Sequence, residues 1–319
     1  MKGLSATAVD SCTKLKKKQG NGFSAGRDIP VYLLLAPALA LLIIFCYFPM
    51  YGIIIAFKDY NPFRGIIASP WVGFKYFAYF LSDENFWRVF KNTILLNLYY
   101  LLCGFPAPII LALLINEVAG KWFKKTVQTI SYLPYFISWV VVSSIAISVL
   151  SPTSGIINIM LQNVFGIEPI YFLAKPEYFR TIVIATWIWK EMGYYSVYYL
   201  AALTSIDPQL YEAARIDGAS RWKQTLHITL PGIKSIAMVL FMLTIGNLVT
   251  VGIDQIFNLY NPLVYSVGDV ISTYTYRLGL EKMQYSLTTA IGVTQSIINF
   301  LLIFSANKIV KKLNGWAMW

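Results

Sequence analysis

Charged and amide side chains embedded in apolar sequence are the first candidates for chemistry. Lys190 and Glu191 lie in WIWKEMGYYSVYY, with Tyr195 four residues beyond the glutamate. Asn247, Asp254 and Gln255 follow in a later apolar run, and Gln295 lies in the last one. Such groups are costly in lipid and mark solute or ion pathways when they occur there. Adjacent helical residues diverge by about 100°, so Lys190 and Glu191 are expected to meet different partners and not each other. Bundle-stabilising hydrogen bonds are the competing role for every one of these residues.

Other chemistries are excluded by what is scarce. His227 is the one histidine, and Cys12, Cys46 and Cys103 have neither metal-ligand nor disulfide spacing. No glycine-rich phosphate loop occurs, since the Gly120-Lys121 pair is followed by tryptophan. The chain therefore carries no metal site and no cofactor of its own, and it is not expected to be an enzyme. If ATP drives it, another subunit hydrolyses the nucleotide.

The elements that must position these groups are membrane helices. Of 319 residues, 57% are hydrophobic and 13% charged, against about a quarter charged in soluble domains. Six segments are long enough to cross about 30 Å, near 30–57, 89–116, 129–150, 179–203, 233–257 and 286–308. The expected fold is an all-α integral membrane protein of six spans. Pro106 and Pro108 are expected to permit kinks in span two, and Pro134 in span three. The net charge of +11 is not a nucleic-acid footprint, because most of the 26 Lys and Arg gather in the tail, around Lys121–Lys125, at 205–234 and around Lys308–Lys312. By the positive-inside rule those four regions, and hence both termini, are cytoplasmic. The chain divides into a basic tail at 1–28, a membrane domain at 29–312 and a short end at 313–319. Among the outer loops, 151–178 contains GIINIMLQNVFG, with the apolar spacing of an amphipathic helix.

Between spans four and five runs a polar island, YEAARIDGASRWKQTLHITLP, residues 211–231. Asp207 can cap a first helix and Pro208 can occupy its first turn; Gly218 can end it in the left-handed conformation. Ser220 can cap a second helix, with Trp222, Leu226 and Leu230 along one face and Pro231 closing it.

The order Glu212-Ala213-Ala214, Gly218, then Ile228-x-Leu230-Pro231 resembles the EAA loop of binding-protein-dependent ABC importer permeases. FKDYNP, WVGFKYF, FPAPIILALLINEV, YLPYFISWVVV and TYTYRLGL are similar to the carbohydrate-uptake branch of that family, which imports oligosaccharides. The resemblance implies a cytoplasmic coupling helix within 205–231 that docks on an ATP-hydrolysing subunit. Glu212 would then pair with a basic residue there, Ala213 and Ala214 would permit close approach, Gly218 would set the bend, and Asp217 and Arg221 would form salt bridges. It also implies a second permease subunit completing a heterodimer, two ATP-binding subunits holding ATP and Mg²⁺, and an extracytoplasmic solute-binding protein. The setting would be the cytoplasmic membrane of a bacterial cell. An ion-coupled secondary transporter is the alternative for the same intramembrane charges, although it leaves the EAA spacing unexplained.

Overall fold

The computed structural model describes residues 25–314; most of the basic tail and the last five residues lie outside the described residues. The described residues fall into two compact units, divided between 53 and 54. In the first, helix α1 (Ala25–Leu42) continues through a π-turn at Ile43–Tyr47 into Phe48–Met50.

The second unit is helical, and among the described residues the one β-bridge joins Lys58 to Trp71. Its main helices are α2 (Glu84–Glu117), α3 (Lys121–Phe136), α4 (Trp139–Val149) and α5 (Pro176–Leu203). They are followed by α6 (Pro208–Ile216), α7 (Arg221–Gly246), α8 (Ile253–Leu259) and α9 (Tyr285–Asn314). By length and composition the helix Tyr32–Phe57, α2, α7 and α9 can each cross a membrane, and the bent pair α3/α4 adds one more if it is a single span. The 28 residues of α5 have the length, about 42 Å at 1.5 Å per residue, but carry Lys190 and Glu191 midway.

Two expected spans are not continuous. Span three is helical from Lys121, tightens into a 3₁₀ turn at Leu133–Phe136 and bends by 104° before α4. Pro134 removes a backbone donor there, and Ser138, in extended conformation, caps α4 by accepting from Val141 N–H at 3.4 Å. Span five ends at Gly246 and not near 257; residues 247–252 are unwound before α8. Asn247, Asp254 and Gln255 are thus outside the spanning helix that the sequence suggested.

Prolines explain a third departure. Pro231 does not end the second helix of the polar island: Arg221–Gly246 is one helix, with a π-turn at Thr225–Thr229 just before the proline. π-turns likewise precede Pro49 and Pro106, at Ile43–Tyr47 and Tyr100–Gly104. A proline ring would clash with the carbonyl four residues earlier, and a widened turn moves that carbonyl aside while keeping the helix intact. The inserted residue also rotates the pattern. Trp222, 70% exposed, and Leu226 do not lie on the buried face, whereas Leu230 packs against the core; the buried stripe is Gln224, Thr229 and Ile233.

The core lies between α5 and its neighbours. At one end Ala112, Ile115, Tyr199, Leu200, Leu203 and Ile233 pack together, with Ile206 against them. At the other, Leu96, Phe179, Val183, Ile256 and Val264 form a second cluster. A buried polar knot fastens the segment before α9 to α2 and α5. Asp269 forms a bidentate pair with Arg277 at 2.9 and 2.5 Å, and Asn92 donates to the carbonyls of Ser266 and Asp269 while accepting from Arg180. Every buried group in that knot has a partner, as burial of charge requires.

Candidate functional site

A cavity of about 420 Å³ opens among α2, α4, α5 and α7. Its lining on α5 is a stripe of Trp187, Glu191, Tyr195 and Tyr199, each four residues from the last and so on one helix face. Tyr100 on α2 packs on Trp187 with ring centroids 5.3 Å apart, and Trp187 stacks on Tyr195 at 6.1 Å. Asn97, Thr244, Asn247, Thr250 and Gln255 supply polar groups around these rings. Flat aromatic faces beside amide and hydroxyl groups suit a ligand that alternates C–H surfaces with hydroxyls.

Much of one wall is unwound backbone. Residues 247–252 make few hydrogen bonds of their own, so neighbours satisfy them. Asn97 donates to the Leu248 carbonyl at 2.7 Å, Ser272 to that of Val251 at 2.9 Å, and Gln295 to that of Val249. Asn299 accepts from Val249 N–H at 3.3 Å and donates to the Thr250 hydroxyl at 2.8 Å. Irregular backbone at membrane depth persists where it is buried in protein or faces a cavity, and both conditions hold here.

Glu191, Tyr195, Asn247 and Gln255, expected along a pathway, line the cavity. Gln255 is also a structural tie, accepting from Tyr100 at 2.7 Å and donating to the Val183 carbonyl at 2.6 Å and the Thr186 hydroxyl at 3.0 Å. Lys190 points elsewhere, and its expected separation from Glu191 is incorrect: the two are 3.7 Å apart. Its long side chain wraps back to seat the ammonium at the α3/α4 bend. There it donates to the Tyr135 carbonyl at 2.6 Å and lies 4.9 and 5.3 Å from the rings of Tyr135 and Trp139. Gln295 works from behind the wall, and Asp254 is exposed and outside the lining. Tyr100, Trp187 and Asn97 were not anticipated. The spacing of four from Trp187 to Tyr199 was a visible signal for the first of the α5 residues.

The second site is the polar island. Asp207 caps α6, accepting from Gln209 N–H at 2.9 Å, and Gly218 adopts a φ of +72° after it. Ala219 N–H donates to the Ala214 carbonyl at 2.8 Å, completing the turn. Glu212, Ala213 and Asp217 are exposed and Ala214 is half-buried. Ile216, 87% exposed, and Trp222 add uncovered apolar surface beside them. Arg221 pairs within the chain, with Glu117 at 3.4 Å. Together these features form a small-residue helix with one carboxylate on its exposed side.

Membrane-length helices around a polar, aromatic cavity, with an exposed helix at one end, define the membrane-embedded subunit of a transporter. The family described as Binding-protein-dependent transport system inner membrane component matches residues 104–315. Protein LplB of Bacillus subtilis (strain 168) is 43% identical over 288 residues, 90% of each chain. The polygalacturonan/rhamnogalacturonan transport system permease protein YteP of the same strain is 44% identical over 282 residues, 88% of each. A chain from the crystal structure of a bacterial alginate ABC transporter, in complex with an alginate pentasaccharide-bound periplasmic protein, superposes with a TM-score of 0.85. It is 42% identical, and the match covers 92% of this chain and 98% of that one. The chain belongs to the binding-protein-dependent transport system inner membrane components, the permease subunits of ABC importers.

Proposed function

We propose that this permease is one half of an ATP-driven importer of oligosaccharides in a bacterial cytoplasmic membrane. The carrying observation is the cavity, where Trp187 stacks on Tyr195 and meets Tyr100 at a tilt, beside amides and hydroxyls in a wall of interrupted helix. YteP, named for polygalacturonan and rhamnogalacturonan transport, and the alginate transporter support a carbohydrate substrate, and they make uronate-containing oligosaccharides the first to try. In this reading α5 and the α3/α4 pair are spans and the chain crosses six times, with both ends cytoplasmic. A second permease completes the pathway, two ATPase subunits hold ATP and Mg²⁺, and an extracytoplasmic binding protein delivers the sugar. The exposed helix α6 docks in an ATPase groove, with Glu212 meeting a basic residue and Ala213 and Ala214 permitting close contact. Gly218 holds the turn that reverses the chain between α6 and α7, and Asp217 faces the ATPase. Arg221, already paired with Glu117, contributes less than the sequence suggested.

Purification in detergent, identification of the co-purifying subunits and reconstitution with the binding protein test this reading. Recovery of a second permease and an ATPase, with uptake of oligogalacturonates or alginate oligosaccharides that requires ATP, is the expected result. Uptake by the chain alone, driven by an ion gradient, would overturn it in favour of a secondary transporter.

A further inference from the structure

The loop helix α6 and the segments flanking it meet α7 in contacts that a docking role does not require. At its start, Ile206 packs on the backbone of α7: a Cβ at Gly232 would lie 2.4 Å from Ile206 Cδ1. In the turn that follows it, Gln224 donates to the Ala219 carbonyl at 2.9 Å. Between them, the hydroxyls of Tyr211 and Thr229 are 3.0 Å apart, with Thr229 nearly fully buried. Thr229 closes the π-turn and contacts the Gln224 carbonyl at 3.4 Å, so Tyr211 is the partner free to donate to it.

The π-turn makes this contact possible. In an uninterrupted α-helix, position 228 would follow 224 on the buried face, and the hydroxyl of Thr229 would turn away by about 100°. The one-residue insertion before Pro231 brings Gln224, Thr229 and Ile233 into a single stripe under α6. From Thr229, α7 runs unbroken to Gly246, about 25 Å at 1.5 Å per residue. Directly beyond it is Asn247, in the cavity wall.

We propose that the Tyr211–Thr229 hydrogen bond, set in register by the π-turn, locks α6 to α7 so that displacement of the loop helix reaches the cavity wall as movement of one rigid lever. Tyr211 is then a positioning residue for coupling. It touches neither solute nor nucleotide, and without its hydroxyl α6 can shift on α7 while the ATPase still turns over. This rests on the reading of α6 as the helix on which the ATPase acts.

The test uses the complete importer in proteoliposomes, with its second permease, ATPases and binding protein, and reads the number of ATP hydrolysed per sugar taken up. Tyr211→Phe and Thr229→Val are each expected to raise that ratio about threefold or more, the order one neutral hydrogen bond carries in an equilibrium. The double variant should do no more than either single one, and Thr229→Ser, which keeps the hydroxyl, should restore the normal ratio. An unchanged ratio in Tyr211→Phe, including a parallel fall of uptake and hydrolysis, overturns the lock. Glu212→Lys separates the two levels. If it uncouples while Tyr211→Phe does not, only the lock fails; if it leaves assembly and ratio unchanged, the docking role fails and the lock with it.

Discussion

The ammonium of Lys190 donates to the carbonyl oxygen of Tyr135 at 2.6 Å, just before the chain bends by 104° between α3 and α4. A cation at the C-terminal end of a helix meets the negative end of its dipole, and here it also answers a carbonyl that the bend leaves without a helical donor. Lys190→Leu removes that donor and leaves the buried Glu191 carboxylate without its counter-charge. The expected loss is about 3–5 kcal/mol of stability, the range for one deleted partner of a buried pair. Thermal unfolding in nanodiscs measures it. The double replacement Lys190→Leu/Glu191→Leu should recover part of the loss, and an unshifted midpoint in the single variant would refute the account.

Gly193 lies three residues further along the same face. A Cβ there would come within 1.9 Å of the Ser131 carbonyl oxygen, which is backbone and cannot swing aside. Gly193→Ala must push α3 away from α5, with an expected cost of about 1–3 kcal/mol. Gly292→Ala on α9, where no atom lies within 4 Å of the new methyl, serves as the control and should be neutral or stabilising. Equal melting temperatures for the two variants would contradict the packing argument.

Outside the membrane helices, Tyr76 donates to Asp59 at 2.6 Å, with Lys75 3.4 Å away on the other oxygen. The Tyr76 hydrogen bond in particular holds the Asp59 carboxyl below its ordinary 3.8. Burial, then the carboxylate beside it, pushes the Tyr76 phenol up to about 12 from 10.0. A depressed carboxyl stabilises above its unfolded value and loses the effect as pH falls through the folded one. A raised phenol stabilises below its unfolded value and loses the effect as pH rises past the folded one. Limited proteolysis of residues 58–88 should therefore be constant from about pH 5 to 9 and accelerate only beyond each end. Asp59→Asn should shrink the acid limb, leaving the part due to Asp83, which accepts from Tyr274 at 2.7 Å, and proteolysis that rises steadily through neutral pH would be inconsistent with the pair.

The proposed passage of a sugar through the cavity makes Trp187, central in its aromatic lining, the residue to replace. Trp187→Ala removes the ring between Tyr100 and Tyr195, and it is expected to lower uptake about tenfold, the equivalent of about 1.4 kcal/mol of aromatic contact. ATPase stimulation by the binding protein should change much less. Full uptake by this variant would remove the cavity from the pathway.

The parts of this structure that were readable in the sequence are those specified by local chemistry. Asp207, Gly218 and Ser220 define the ends of their helices through bonds reaching no more than a few residues, and α6 has the bounds such signals imply. The interruption at 247–252 was hidden because Asn-Leu-Val-Thr-Val-Gly reads as apolar sequence, and what stabilises its unwound form is donated by Asn97, Ser272, Gln295 and Asn299 from far along the chain. Pro231 misled for a related reason: a proline signals a stop only where the helix cannot widen, and the π-turn before it allows that. The Asp269–Arg277 pair was invisible because residues eight apart are two turns distant on a helix; it closes because Asp269 lies in the extended link before the helix Ile271–Tyr276 and the long Arg277 side chain reaches it from the far end.

The wall segment 247–252 has a further consequence. A helix or strand stores its shape in its own ladder, whereas this stretch borrows its shape from α2, α9 and the segment at Ser272. Its form is thus a readout of where those neighbours stand. When they shift, the lining can be redrawn by exchanging side-chain amides, with no regular structure to melt and no covalent hinge to bend.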